Sequence, residues 1–254
     1  MSKVRKWLLA LIIPALILVL WWLATSFGGV QSAILPSIEE VGRAFARLGS
    51  DGTLWKDLSL SITRVLKGYA IASILGLLLG TVMGMSPLMH DMLYPTVTAV
   101  RQIPYIAWIP LIILWCGIGE LSKVVVICIA AFFPVTMNTM GGMMSVPGDY
   151  LELAALYRMN RRKIFLKISL PHALPQILIG LKLGMGSAWM AVVASELIAS
   201  SSGIGYRLSY ARGLMQSDVV LMCMICIGIV GILMDKVLTA VFARLLPWER
   251  GKKN

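Results

Sequence analysis

Glu152 to Lys182 reads ELAALYRMNRRKIFLKISLPHALPQILIGLK, and it is the one long interruption in a chain that otherwise seeks apolar surroundings. The stretch opens on Glu152-Leu153-Ala154-Ala155, passes a basic cluster of Arg158, Arg161, Arg162, Lys163 and Lys167, and closes on Leu170-Pro171 before the next apolar run. A short helix, a basic seam and a proline stop predict a rigid projection offered to another protein.

Composition places the rest of the chain in a membrane. Of 254 residues, 58% are hydrophobic and only 14% charged, and the mean hydropathy is +0.83. A soluble domain carries about 25% charged residues. The net charge of +11 could point to nucleic acid. The basic residues, however, lie between apolar blocks rather than along one exposed face, which is the pattern of loops flanking membrane spans and excludes a nucleic-acid partner.

Dividing the apolar blocks by the roughly 20 residues that a spanning helix needs predicts about six spans, near 7–27, 67–85, 102–118, 123–140, 175–198 and 218–242. The segment 141–171 then falls on the starting side. Lys3, Arg5 and Lys6 ahead of the first block set that side as cytoplasmic, and the inner segments together hold more Lys and Arg than the outer ones. The first block is too long for a signal-peptide core and has no clear cleavage site, so it is expected to be retained. Between Gln31 and Leu66 the chain turns polar with helical periodicity, which predicts amphipathic helices on the outer surface or against the bundle.

Small residues recur every fourth position in the second block, at Gly68, Ala72, Gly76, Gly80 and Gly84, and again at Gly180 and Gly184. Such stripes let helix backbones approach closely. Pro104 and Pro110 leave carbonyls without partners in the third block, tolerable only against protein or a water-filled cavity. That block, with Gln102, is therefore weighted towards a pathway. Asn138 is equally a pathway group or interhelical glue. Ser187 and Glu196 complete the pathway candidates, with Glu196 divided between a structural role at the outer helix end and a role at the gate.

Several residues together resemble the cytoplasmic coupling loop of the permease subunits of binding-protein-dependent ABC importers: Glu152, Ala154, Phe165, Ile168, Leu170-Pro171, Pro175 and Gly180-Leu181. The wider chain, from Leu35 to Leu246, is similar to the branch that carries nitrate, taurine and aliphatic sulfonates. It shares Leu35-Pro36-Ser37, Ile103-Pro104, Trp115 through Lys123, Phe132-Phe133-Pro134, Glu196-Leu197 and Ser202 through Tyr206. At one position the chain departs from the family, which usually has Gly where this chain has Arg158, so the residue expected to make a sharp turn there is missing.

The resemblance implies an all-α type I importer permease, with Glu152, Ala154, Ala155, Arg158, Phe165, Ile168, Leu170 and Pro171 docking in an ATPase. It also implies a second copy of the chain, an ATP-binding cassette ATPase dimer that carries ATP and Mg²⁺, a periplasmic or lipid-anchored substrate-binding protein, and a place in the bacterial inner membrane with both termini cytoplasmic. No cofactor is expected on this chain. The substrate is expected to be a small anion, although related permeases take aromatic vitamin precursors, and the spans show no obvious buried Arg to hold an anion.

The residues alone leave little room for an enzyme. His90 and His172 are far apart, no phosphate-binding G-x-x-x-x-G-K-[ST] loop occurs, and all four cysteines lie inside apolar runs. The rival from another class, an ion-coupled secondary transporter, needs carboxylates near the bilayer midplane. Glu196 and Asp235 are its candidates, and both are expected near span ends. Asp235 is expected to be neutralised by Lys236 or another neighbour.

Overall fold

The structure is a computed structural model that describes residues 3–29 and 31–245. The basic tail beyond Leu245 lies outside the described residues. The described chain is all helix: α1 Lys3–Phe27, α2 Ile38–Ser50, α3 Thr53–Met85, α4 Pro87–Arg101, α5 Tyr105–Cys116, α6 Glu120–Met144, α7 Gly148–Leu156, α8 Arg161–Ile164, α9 Leu170–Ala199, α10 Ile204–Gly213 and α11 Ser217–Leu245. A π-helical turn, Phe165–Ser169, joins α8 to α9.

Among the described residues four helices are long and apolar enough to cross a membrane: Thr53–Met85, Glu120–Met144, Arg161–Ala199 and Ser217–Arg244. The pair α4 and α5 makes a fifth if counted as one broken span, and α1 contributes a shorter apolar stretch, Leu11–Phe27. The chain is a multi-pass membrane protein.

Helix α6 stands between α3 and α9, and glycines set the distances. A Cβ on Gly80 of α3 would come within 2.5 Å of the Thr136 carbonyl oxygen of α6, and one on Gly76 within 2.9 Å of Val135. Gly84 faces Met143, with 2.5 Å to its Cβ. From the other side, Gly184 of α9 faces the same Val135 and Gly180 faces Asn138. The two glycine stripes therefore clasp one helix. Tyr69 donates to the Leu181 carbonyl at 3.0 Å, and Trp189 donates to the Ile227 carbonyl at 3.0 Å, tying α9 to α3 and α11.

Three helices differ in extent from the expected spans. The helix that holds the second begins at Thr53 rather than near residue 67, and two of the charges that lower its hydropathy, Asp57 and Arg64, are buried and paired inside the bundle. At its start Asp51 accepts from the Thr53 backbone N–H at 2.8 Å, which holds this carboxyl below the usual carboxylate range.

The third is not one helix over 102–118. Its break falls at Gln102–Pro104, where α4 and α5 meet at 93°. Pro104 has no N–H and disfavours helical geometry in Ile103. It caps α5 in extended conformation instead.

The fifth begins well before residue 175, since helix runs unbroken from Arg161 to Ala199. Leu170-Pro171 is thus no stop. The π turn absorbs the proline, with Leu170 N–H reaching back five residues to the Phe165 carbonyl. On the amphipathic segment, α2 carries a full capping box between Ser37 and Glu40 and buries Val41 and Ala44. The expected loop 199–217 contains α10.

Candidate functional site

At the end of the bundle where α6 stops, the chain makes a compact projection. Helix α7 buries Ala154 and exposes Glu152, Ala155 and a set of large apolar side chains. Leu156 is 80% exposed and Tyr157 75%. Glu152 lies in the middle of α7; the acid in the first turn, where the helix dipole favours it, is Asp149.

The turn after α7 is sharp in spite of Arg158. Arg158 takes φ +51°, its N–H bonds the Ala155 carbonyl at 2.9 Å, and the Met159 N–H bonds the Ala154 carbonyl at 2.9 Å. A left-handed residue after the last helical turn is the usual place for glycine, since a Cβ there costs roughly 1–2 kcal/mol. Arg158→Gly is therefore expected to stabilise the protein by about 1 kcal/mol, visible as a higher midpoint of thermal unfolding in detergent. A lower midpoint would show that the guanidinium makes a contact worth more than the strain.

Asn160 then caps α8 by accepting from the Lys163 N–H at 2.9 Å. Phe165, Ile168 and Leu170 are half-buried and Pro171 exposed. Tyr150, Lys167, Ile168, Pro171 and His172 line a groove of about 430 Å³. The His172 Nε2–H donates to the Ser145 carbonyl at 3.1 Å, joining this groove to the end of α6.

Partway along the bundle, α5, α6 and α9 line a second, open cavity of about 430 Å³. Pro104, Asn138 and Ser187 line it, together with Arg101 and Tyr105 at the helix break. Gln102 is exposed beside the break, Pro110 is exposed farther along α5, and neither lines the cavity. Asn138 is already committed, donating to the Pro134 carbonyl at 2.8 Å and accepting from Gln176 at 3.0 Å.

Glu196 is elsewhere, in a buried ionic network at the opposite end from α7. It is 1% exposed and accepts from Arg64 Nη1 at 2.7 Å, from the Ser61 hydroxyl at 2.8 Å and from the Gly205 N–H at 2.9 Å. Arg64, 2% exposed, also donates to Glu120 and to the Ser202 carbonyl. Asp57 accepts from Arg207 at 2.8 Å and from the Gly203 N–H at 3.1 Å. Gly203 has φ +103°, and a Cβ there would collide with the Glu196 carboxylate.

Glu196 therefore knits α3, α9 and α10 together and does not line the cavity, and a buried Arg exists after all. A sequence signal for it was available. Asp57, Ser61 and Arg64 continue, turn by turn, the buried face of Gly68, Ala72, Gly76 and Gly80. Polar residues on the packing stripe of a helix face its neighbours, not water.

Asp235 pairs with Lys182 of α9 at 3.1 Å and not with Lys236. The four cysteines are free, and among the described residues no group of His, Cys, Asp or Glu could hold a metal ion.

An all-helical bundle with glycine-set spacing, a broken helix beside a central cavity and an apolar projection at one end defines a membrane transport component. The family described as "binding-protein-dependent transport system inner membrane component" matches residues 72–248, and the chain belongs to it. Similar proteins include the taurine transport system permease protein TauC of Escherichia coli strain K12, 34% identical, with 92% of this chain and 87% of TauC covered. The nitrate import permease protein NrtB of Synechocystis is 31% identical, with 93% of this chain and 88% of NrtB covered. Among solved structures, an inward-facing form of the MetNI methionine ABC transporter superimposes with a TM-score of 0.54 at 18% identity, covering 80% of this chain and 98% of that one. That likeness speaks to the fold.

Proposed function

We propose that this chain is the translocation subunit of an ATP-driven importer of a small anion, of the chemical kind that TauC and NrtB are named for: a sulfonate such as taurine, or nitrate. Two copies form the pathway in the inner membrane, with both termini cytoplasmic. An ATPase dimer, carrying ATP and Mg²⁺, docks on the α7 to α9 projection, and a substrate-binding protein, periplasmic or lipid-anchored, delivers the anion to the opposite face. The chain itself binds no nucleotide.

One observation carries this reading. Leu153, Leu156 and Tyr157 stand exposed on and just after a short helix that lies between the spans and outside them. Apolar side chains grouped in this way mark a protein contact, and the groove behind them gives a partner a second foothold. The basic residues that follow suit either acids of that partner or anionic lipid.

Glu152 is exposed and bonds to nothing within the described chain, so its replacement leaves the fold intact. Glu152→Lys is expected to reduce uptake at least tenfold in vesicles while the chain still inserts and the ATPase still hydrolyses ATP. Co-purification of a tagged chain reads the same contact directly. Uptake equal to the parent's would remove the coupling role from α7.

A further inference from the structure

We infer that Arg101 is the anion-selecting residue of the central cavity, the group that a translocated oxyanion meets between the two faces of the membrane. This rests on the importer reading above and adds to it a residue and a chemistry.

The cavity lies at mid-depth. At about 1.5 Å per residue, Ser187 is roughly 18 Å along α9 from Ala199, and Ile129 and Asn138 are roughly 14 and 27 Å along α6 from Glu120. Its wall is otherwise apolar, with Ile103, Ile129, Phe133, Met137 and Leu183 among its lining residues, and it contains no carboxylate.

Arg101 is exposed where it lines the cavity, whereas the cations that the bundle buries or half-buries are already occupied. Arg64 holds Glu196 and Glu120, Lys123 lies 3.7 Å from Glu120, Arg207 holds Asp57, and Lys182 holds Asp235. Arg101 makes no ion pair or side-chain hydrogen bond with the described chain. The same holds for the two hydroxyls that share its cavity, on Tyr105 and Ser187.

A guanidinium beside two free hydroxyls in an apolar chamber suits a sulfonate, or the flat nitrate ion, whose oxygens accept several hydrogen bonds at once. A chamber of one sign also repels cations. Arg101 owes its place to the helix break. It is the last residue of α4, at the corner of the break. The 93° bend turns that corner towards α6 and α9. A cation at a helix C-terminus also favours the helix dipole, but that role is filled equally by Lys and does not depend on the cargo.

The test uses the complete complex, with its ATPase and binding protein, in proteoliposomes, and follows labelled taurine and nitrate. Arg101→Gln is expected to lower the maximal uptake rate at least tenfold for whichever anion the parent carries. The half-saturating concentration should stay within twofold, because the binding protein sets it, and ATP hydrolysis stimulated by the loaded binding protein should persist. Arg101→Lys should retain several-fold more uptake than Arg101→Gln.

Uptake by Arg101→Gln within twofold of the parent overturns the inference. So does a loss of uptake matched by equal losses of ATP hydrolysis and of assembled complex in both variants, since the residue would then be structural. A parent complex that moves neither anion overturns the anion reading itself, and this inference falls with it.

Discussion

Arg64→Leu is expected to destabilise the protein by about 3–5 kcal/mol, the usual cost of leaving a buried charge without its partner. The arrangement makes the two sides of the pair unequal. With Arg64 gone, Glu196 keeps the Ser61 hydroxyl and the Gly205 N–H but has no cation bonded to it, since Lys123 sits against Glu120 and Arg207 serves Asp57. With Glu196 changed to Gln, Arg64 still holds Glu120 through Nε at 2.8 Å and the Ser202 carbonyl at 2.9 Å. Gln keeps one acceptor oxygen for Arg64 or for the Gly205 N–H, and its amide nitrogen must then face the other donor. The order of damage should therefore be Arg64→Leu well beyond Glu196→Gln. Thermal midpoints of the two variants in detergent decide the matter. Equal midpoints, or the reverse order, would mean that the network does not hold this end of the bundle.

The second large effect belongs to Gly80→Ala. One methyl group would lie 2.5 Å from the Thr136 carbonyl oxygen and 2.7 Å from the Thr139 Cβ. The first of these is backbone, so no side chain can swing away and α3 must withdraw from α6. Overpacking of this kind costs typically 1–3 kcal/mol, and here it also opens the neighbouring contacts at Gly76 and Gly84. Gly186→Ala is the matched control, because nothing lies within 4 Å of the added carbon, and it should be neutral or mildly stabilising. The fraction of protein that stays monodisperse after heating separates the two; identical curves would show that the stripe is not closely packed.

Sequence and structure part company for identifiable reasons. The spacing of Gly68, Ala72, Gly76, Gly80 and Gly84 can be read from one chain. The helix that lies on it cannot, because α6 begins more than thirty residues after α3 ends. Hydropathy averages around a helix, so Asp57, Ser61 and Arg64 looked like surface when they are interior. Their partners, Glu196, Gly203, Gly205 and Arg207, lie on α9, on α10 and in the turn between them, and no local pattern links the two segments.

The proline at 104 announced a disturbance in the third block, but its size, and hence the exposure of Arg101 to a cavity, depends on how α4 and α5 pack. Proline 171 misled in the opposite direction. It lies just past the π turn Phe165–Ser169, whose shifted hydrogen bonds accommodate its missing N–H. Arg158 shows that hydrogen bonds on both sides of a turn can hold a left-handed residue that the side chain itself disfavours.

The 39-residue run from Arg161 to Ala199 is a lever about 58 Å long. Its handle is the basic end beside α7, its far tip is three residues from Glu196, and α6 lies along its middle as the fulcrum. A thrust at the handle cannot be dissipated in a loop, because no loop interrupts the rod. Gly180 and Gly184 key it to α6, so a displacement of one helix must be shared with the other. The π turn, Phe165–Ser169, is the one departure from α-helical geometry along the rod.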